Sequence, residues 1–114
     1  MFVLKQGDSY EWTVSVQFPV SGDKHKTDTF KAEFKRLPQS RIKEIYQSIQ
    51  DDKMGDKDLV KEILVGWKEV TDDKGNDIPF SEASLEKLLD IQLVAASISK
   101  AFLESITGSK IKNF

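Results

Sequence analysis

Trp12-Thr13-Val14-Ser15-Val16-Gln17-Phe18-Pro19 places a bulky apolar side chain at every second position through Phe18 and a polar one between. Successive side chains of a strand point to opposite faces, so this spacing predicts a strand with one buried face. Pro19 lacks the amide hydrogen that a ladder needs and marks the strand's end or an edge. Ser21-Gly22-Asp23-Lys24 reads as a turn. Phe30, Ala32 and Phe34 then alternate with Lys31, Glu33 and Lys35. Two such segments predict an antiparallel hairpin over about 10–36, aromatic face inward. The expected connection, about eight residues from Gly22 to Thr29, is longer than the tight hairpin turns.

An isolated hairpin is marginal in water, so the rest of the chain must cover that face. Pro38 ends the strand pattern and Ser40 stands where an N-cap is expected. Ile42, Ile45, Tyr46 and Ile49 fall at i, i+3, i+4 and i+7, predicting an amphipathic helix over about 40–50. After the break Asp51–Gly55, Asp56 is the expected cap of a second helix over about 56–67, with Leu59, Val60, Ile63, Leu64 and Trp67 as its stripe. Gly66 costs a helix interior about 1 kcal/mol relative to alanine, which puts it at a frayed end or at a close backbone approach. Glu69–Thr71 and Asn76–Ile78 flank the turn Asp72-Asp73-Lys74-Gly75, the pattern of a short second hairpin.

Ser81 as N-cap makes Phe80 the N′ residue and Leu85 the N4 residue, the spacing of a hydrophobic staple. That helix, about 81–90, buries Leu85, Leu88 and Leu89. Asp90 is expected to interrupt it and to cap a last helix over about 91–107, stopped by Gly108. The reading is α+β: a predominantly helical single domain, 1–114, with an N-terminal antiparallel β-hairpin. A chain of 114 residues fits one domain and buries roughly two-thirds of the surface it exposes unfolded.

Composition narrows function. There is no cysteine, which removes disulfides, thiolate catalysis and cysteine metal sites. Net charge is −2, from 17 basic and 19 acidic residues that are intermixed along the chain, so no strong field for nucleic acid or an anionic membrane is expected. No apolar run approaches the roughly 18 residues of a membrane span. Met1–Asp8 lacks the basic start and apolar stretch of a signal peptide. A cytosolic protein is the default expectation.

Residues for chemistry are scarce. His25, the single histidine, falls in the polar hairpin connection, a poor shelter for an acid–base catalyst. One histidine and no cysteine disfavour zinc. In Asp72-Asp73-Lys74-Gly75-Asn76-Asp77 a calcium loop would need a carboxylate where Val70 stands and a ligand where Lys74 stands. A paired-carboxylate hydrolase needs a cleft. Lys24, Lys26, Lys31, Lys35 and Arg36 read as a solvated strand face rather than a nucleic-acid surface. The expectation is a non-enzymatic protein with no cofactor, no metal and no small-molecule substrate.

Contact surfaces are better represented. Along the last helix Ile91, Val94, Ala95, Ile98, Phe102 and Ser105 share a face, while Leu93, Ala96 and Leu103 point elsewhere. A helix apolar on more than one side is either deep in its own domain or touching a partner. Trp67 is either a core anchor or a hot spot for another chain. Leu93, Ala96, Leu103 and Trp67 are therefore the candidate partner-binding residues. Phe2, Val3, Leu4, Ile111 and Phe114 add bulky apolar groups near the two ends.

Five signals recur in order: Phe30-Lys31-Ala32-Glu33-Phe34-Lys35-Arg36-Leu37, Leu64-Val65-Gly66-Trp67-Lys68-Glu69-Val70, the turn Asp72–Asn76, Ile78-Pro79-Phe80-Ser81, and the helix from Leu88-Leu89-Asp90-Ile91 to Ala101-Phe102-Leu103-Glu104-Ser105. In this order, across Trp12 to Lys110, the chain resembles the tail assembly chaperones of long-tailed bacteriophages and prophages. The resemblance implies a non-enzymatic factor that coats the tape measure protein and keeps this helical rod soluble until tail tube protein polymerises around it. It further implies self-association as a homo-oligomer. The competing reading is a minor structural protein of the virion, in the tail or in tube completion.

Overall fold

Alternation in the N-terminal third produces the expected strands in the computed structural model, which describes residues 1–108. Strand β1 (Ser9–Val20) and strand β2 (Lys24–Lys35) pair antiparallel, with Tyr10 opposite Phe34, Trp12 opposite Ala32 and Val14 opposite Phe30. The turn is Ser21-Gly22-Asp23, shorter than the expected span Gly22–Thr29. Val20 faces Lys24, and Lys24–Thr29 stay in the ladder. These residues are polar because both their faces meet water, which sequence alone cannot tell from a loop. Gly22 and Asp23 take φ of 87° and 59°, the left-handed conformations that let so short a turn reverse the chain.

The helices follow with altered ends. Helix α1 (Gln39–Gln50) has Pro38 at its N-cap, not Ser40, and no side chain caps it. Helix α2 (Asp56–Ile63) starts after Gly55, whose N–H donates to Asp58 Oδ2 at 3.0 Å. Asp58, not Asp56, is thus the carboxylate that closes this end.

The expected helix 56–67 is overturned beyond Ile63. Leu64–Lys68 form strand β3, which completes a sheet of order β1-β2-β3. Leu64 faces Phe34 and Trp67 faces Ala32, across an irregularity between Glu33 and Phe34. The stripe Leu59–Trp67 fits both periods in its last residues, and the strand wins because it covers part of the open edge of β2. Gly66 lies opposite Glu33, where a Cβ would sit 3.0 Å from the carboxylate Oε2. The second hairpin reduces to one bridge, Thr71 to Asp77, with Ile78 N–H donating to Val70 O at 2.8 Å.

Helix α3 (Glu82–Leu89) is capped as expected by Ser81, whose hydroxyl accepts from Ser84 N–H at 3.1 Å. Helix α4 (Val94–Thr107) starts three residues later than expected, after Leu93 in a left-handed conformation at φ 75°. Asp90 terminates α3 and caps nothing in α4. Gly108, at φ 71°, ends α4 and donates to Glu104 O at 3.2 Å.

With 12, 8, 8 and 14 helical residues against 12, 12 and 5 in strands, the fold is α+β but not predominantly helical. Helix α4 packs on β1 and on α2. The buried cluster takes Val14, Phe34, Ile45, Ile63, Leu89 and Phe102 from six elements. The opposite face of the sheet, with Glu11, Thr13, Glu33 and Lys68, stays exposed.

Candidate docking surfaces

Leu93 and Ala96 are exposed and close together, one in the left-handed knuckle before α4 and one in its first turn. Ile91, also exposed, is in the same junction. Leu103 lies further along α4 and is half-buried against the core. Trp67 stands on β3, half-buried. Its indole Nε1 donates to Ile78 O at 2.7 Å, and its ring meets Phe80 edge-on at 4.9 Å. The fold therefore brings Leu93 and Ala96 together, while Leu103 and Trp67 are partly absorbed in packing. Ile111 and Phe114 lie outside the described residues.

Two open grooves flank the sheet. In the first, β3 pairs with β2 only as far as Lys31, opposite Lys68, and Glu69 then turns the chain away at φ 67°. Among the described residues no strand pairs with Thr27–Phe30 on that side. A groove of about 550 Å³ opens between that strand edge and Glu69–Thr71. Its apolar wall comes from Val16, Phe18, Val70, Leu88, Ile91 and Val94, and its charged lining residues are Asp28 and Glu69. Lys26 stands 3.4 Å from Asp28. The second groove, about 560 Å³, lies among Tyr10, Trp12, Leu37, Ile42 and Ile106, with Glu11, Lys35 and Arg36 giving mixed charge. Neither was foreseen. The departure of β3 that creates the first depends on a strand that sequence reasoning had assigned to a helix.

The polar features are structural. Asp72 Oδ1 accepts from Lys74 N–H and Asn76 N–H, both at 2.9 Å. These backbone donors, that of Asn76 first, hold its carboxyl below the usual range. The acidic turn thus uses Asp72 to fold itself. Arg41 clamps Glu62 with two bonds of 2.6 Å, tying α1 to α2, and the bond from Arg41 is the chief reason the Glu62 carboxyl is lowered. Lys61 and Glu86, 2.7 Å apart, tie α2 to α3. His25 lies exposed on β2, not in a loop. Among the described residues no group of three or more His, Asp or Glu side chains is placed to hold a metal. None of their helices is long and apolar enough to cross a membrane.

A family model described as phage tail assembly chaperone matches residues 1–113. No curated protein and no solved structure matches the chain.

Proposed function

The chain belongs to the phage tail assembly chaperone family, and from that premise we propose that it binds the tape measure protein and keeps it soluble until the tail tube polymerises. The match over residues 1–113 carries this reading. The exposed apolar junction before α4 supports it. The chain lends apolar surface to an unassembled rod in the host cytoplasm, without cofactor or bond-making, and yields to tail tube protein. It also self-associates, and repetition along the rod gives avidity while each contact stays weak enough to be displaced.

Leu93 and Ala96 form the contact with the rod, and Leu103 and Trp67, both half-buried, add the surface they leave exposed. Leu93 suits such a role because a leucine in the left-handed region costs about 1–2 kcal/mol, and strain of this kind gathers at functional sites. Co-expression with its tape measure protein tests the proposal. Soluble rod yield should rise several-fold with the chaperone and fall back with Leu93→Lys. An unchanged yield in the presence of the wild-type chain overturns it.

A further inference from the structure

The self-association just proposed needs a surface, and we infer that the groove beside Thr27–Phe30 receives the N-terminal arm, Phe2-Val3-Leu4-Lys5, of a second copy. The arm lies outside every helix and strand. Phe2 and Leu4 are 85 % and 92 % exposed. Three consecutive bulky apolar side chains in water form a liability unless something covers them.

The groove supplies complementary features. An extended segment laid along Thr27–Phe30 would bond to the strand edge that β3 leaves open, as peptides do when they extend a sheet. Alternate side chains of that segment would enter the apolar wall around Phe18, Val70 and Ile91. Among the described residues the charged lining side chains are Asp28, already paired with Lys26, and Glu69. Lys5 brings the opposite charge.

Reach decides which copy provides the arm. Its root is fixed: Arg36 N–H donates to Asp8 O at 2.9 Å and Arg36 Nε to Gly7 O at 3.1 Å. From Arg36 back along β2 to Phe30, the near end of the groove, is about 20 Å at 3.3 Å per residue. Fully extended from Gly7, the arm carries Leu4 about 10 Å and Phe2 at most about 18 Å. A chain cannot fill its own groove, so the arm goes to a neighbour. Arm and groove are different surfaces, so the contact is head-to-tail, and the pair keeps one arm and one groove free to continue the row.

Sedimentation velocity over a concentration series, on the full chain, tests this. The wild type should form species beyond the dimer. Phe2→Ser with Leu4→Ser, and separately Ile91→Lys, should each weaken assembly by roughly ten-fold or more, as loss of a central apolar anchor does. Mixed one to one, the two variants should form a heterodimer and stop there, because only one intact arm meets one intact groove. A charge pair gives an independent check: Lys5→Glu should weaken assembly, and Glu69→Lys added to it should restore it.

A monomeric wild type, either apolar variant assembling like the wild type, a mixture that stays monomeric, or a charge pair without rescue would each overturn the arm-and-groove contact. Rod capture by the arm variant leaves Leu93 and Ala96 intact, so the chaperone reading and this one fail separately.

Discussion

The two halves of the hairpin contrast. Near its base, Tyr10 and Val14 on β1 face Phe34 and Phe30 on β2, helix α4 lies over them and β3 flanks them. Rings of Tyr10, Phe34 and Phe102 meet edge-on at 5.9 and 5.4 Å, and the Tyr10 hydroxyl is 2.6 Å from Ser105 Oγ. Toward the tip, β1 keeps its alternation through Phe18 and Val20, but the opposing residues are Lys26 and Lys24. Lys26 Nζ rests 6.0 Å from the centre of the Phe18 ring. Alternation in one strand announces a face. The strand opposite decides whether that face enters the core or remains available.

Substitutions can break this contrast or sharpen it. Phe34→Ala at the base should cost about 3–5 kcal/mol, a large part of an ordinary domain's stability. Phe18→Ala toward the tip should cost less, about 1–2 kcal/mol, since Phe18 is only partly buried at the margin of the core. Denaturant titrations that give equal losses would dissolve the distinction. Trp67→Ala, in the strand that flanks the base, should fall between them at about 2–3 kcal/mol. Full stability with lost partner binding would instead make Trp67 an interface residue.

Smaller effects refine the picture. Tyr10→Phe removes the bond to Ser105 and should cost about 1 kcal/mol by thermal melts, with no matching loss for Thr27→Val near the tip. Leu93→Gly should leave stability unchanged or raise it by about 1 kcal/mol, because glycine accepts the left-handed backbone, while rod capture falls. A destabilised variant would show that Leu93 is held by packing.

The smallest effect is acid sensitivity. Glu62 is more acidic folded than unfolded, so its contribution is complete above its unfolded value, about 4.3. It is lost as pH falls through the lower folded value. Glu62→Gln should flatten the acid side of the stability profile by at most about 1 kcal/mol. Profiles that run parallel from neutral pH down through the acid range would deny the Arg41 clamp that role.

How much was readable in the sequence follows the same division. Both strands, the Ser81 cap, the Gly108 stop and the inward set Val14, Phe30, Ala32 and Phe34 were legible because local pattern and tertiary burial agree there. The ladder through Lys24–Thr29 was hidden, because exposed strand residues leave no periodic trace. β3 was misread because Leu59, Val60, Ile63 and Leu64 are helical in spacing and the edge it joins is remote in sequence. The late start of α4 was hidden too, since Leu93 adopts a backbone that leucine seldom takes. Of the candidate contacts, Leu93 and Ala96 were visible as a second apolar side. The groove depends on where β3 stops, which no local signal marks.

The outer face of the sheet has a consequence for anything these subunits cover. Glu11 and Lys68 are 3.5 Å apart there, Lys31 donates to Thr13 at 2.7 Å and Ser9 to Glu33 at 3.0 Å. Both signs of charge are interspersed over that surface. A filament sheathed in such subunits would meet its surroundings through this hydrated skin. Its colloidal behaviour would follow the sheath and not the greasy thread inside.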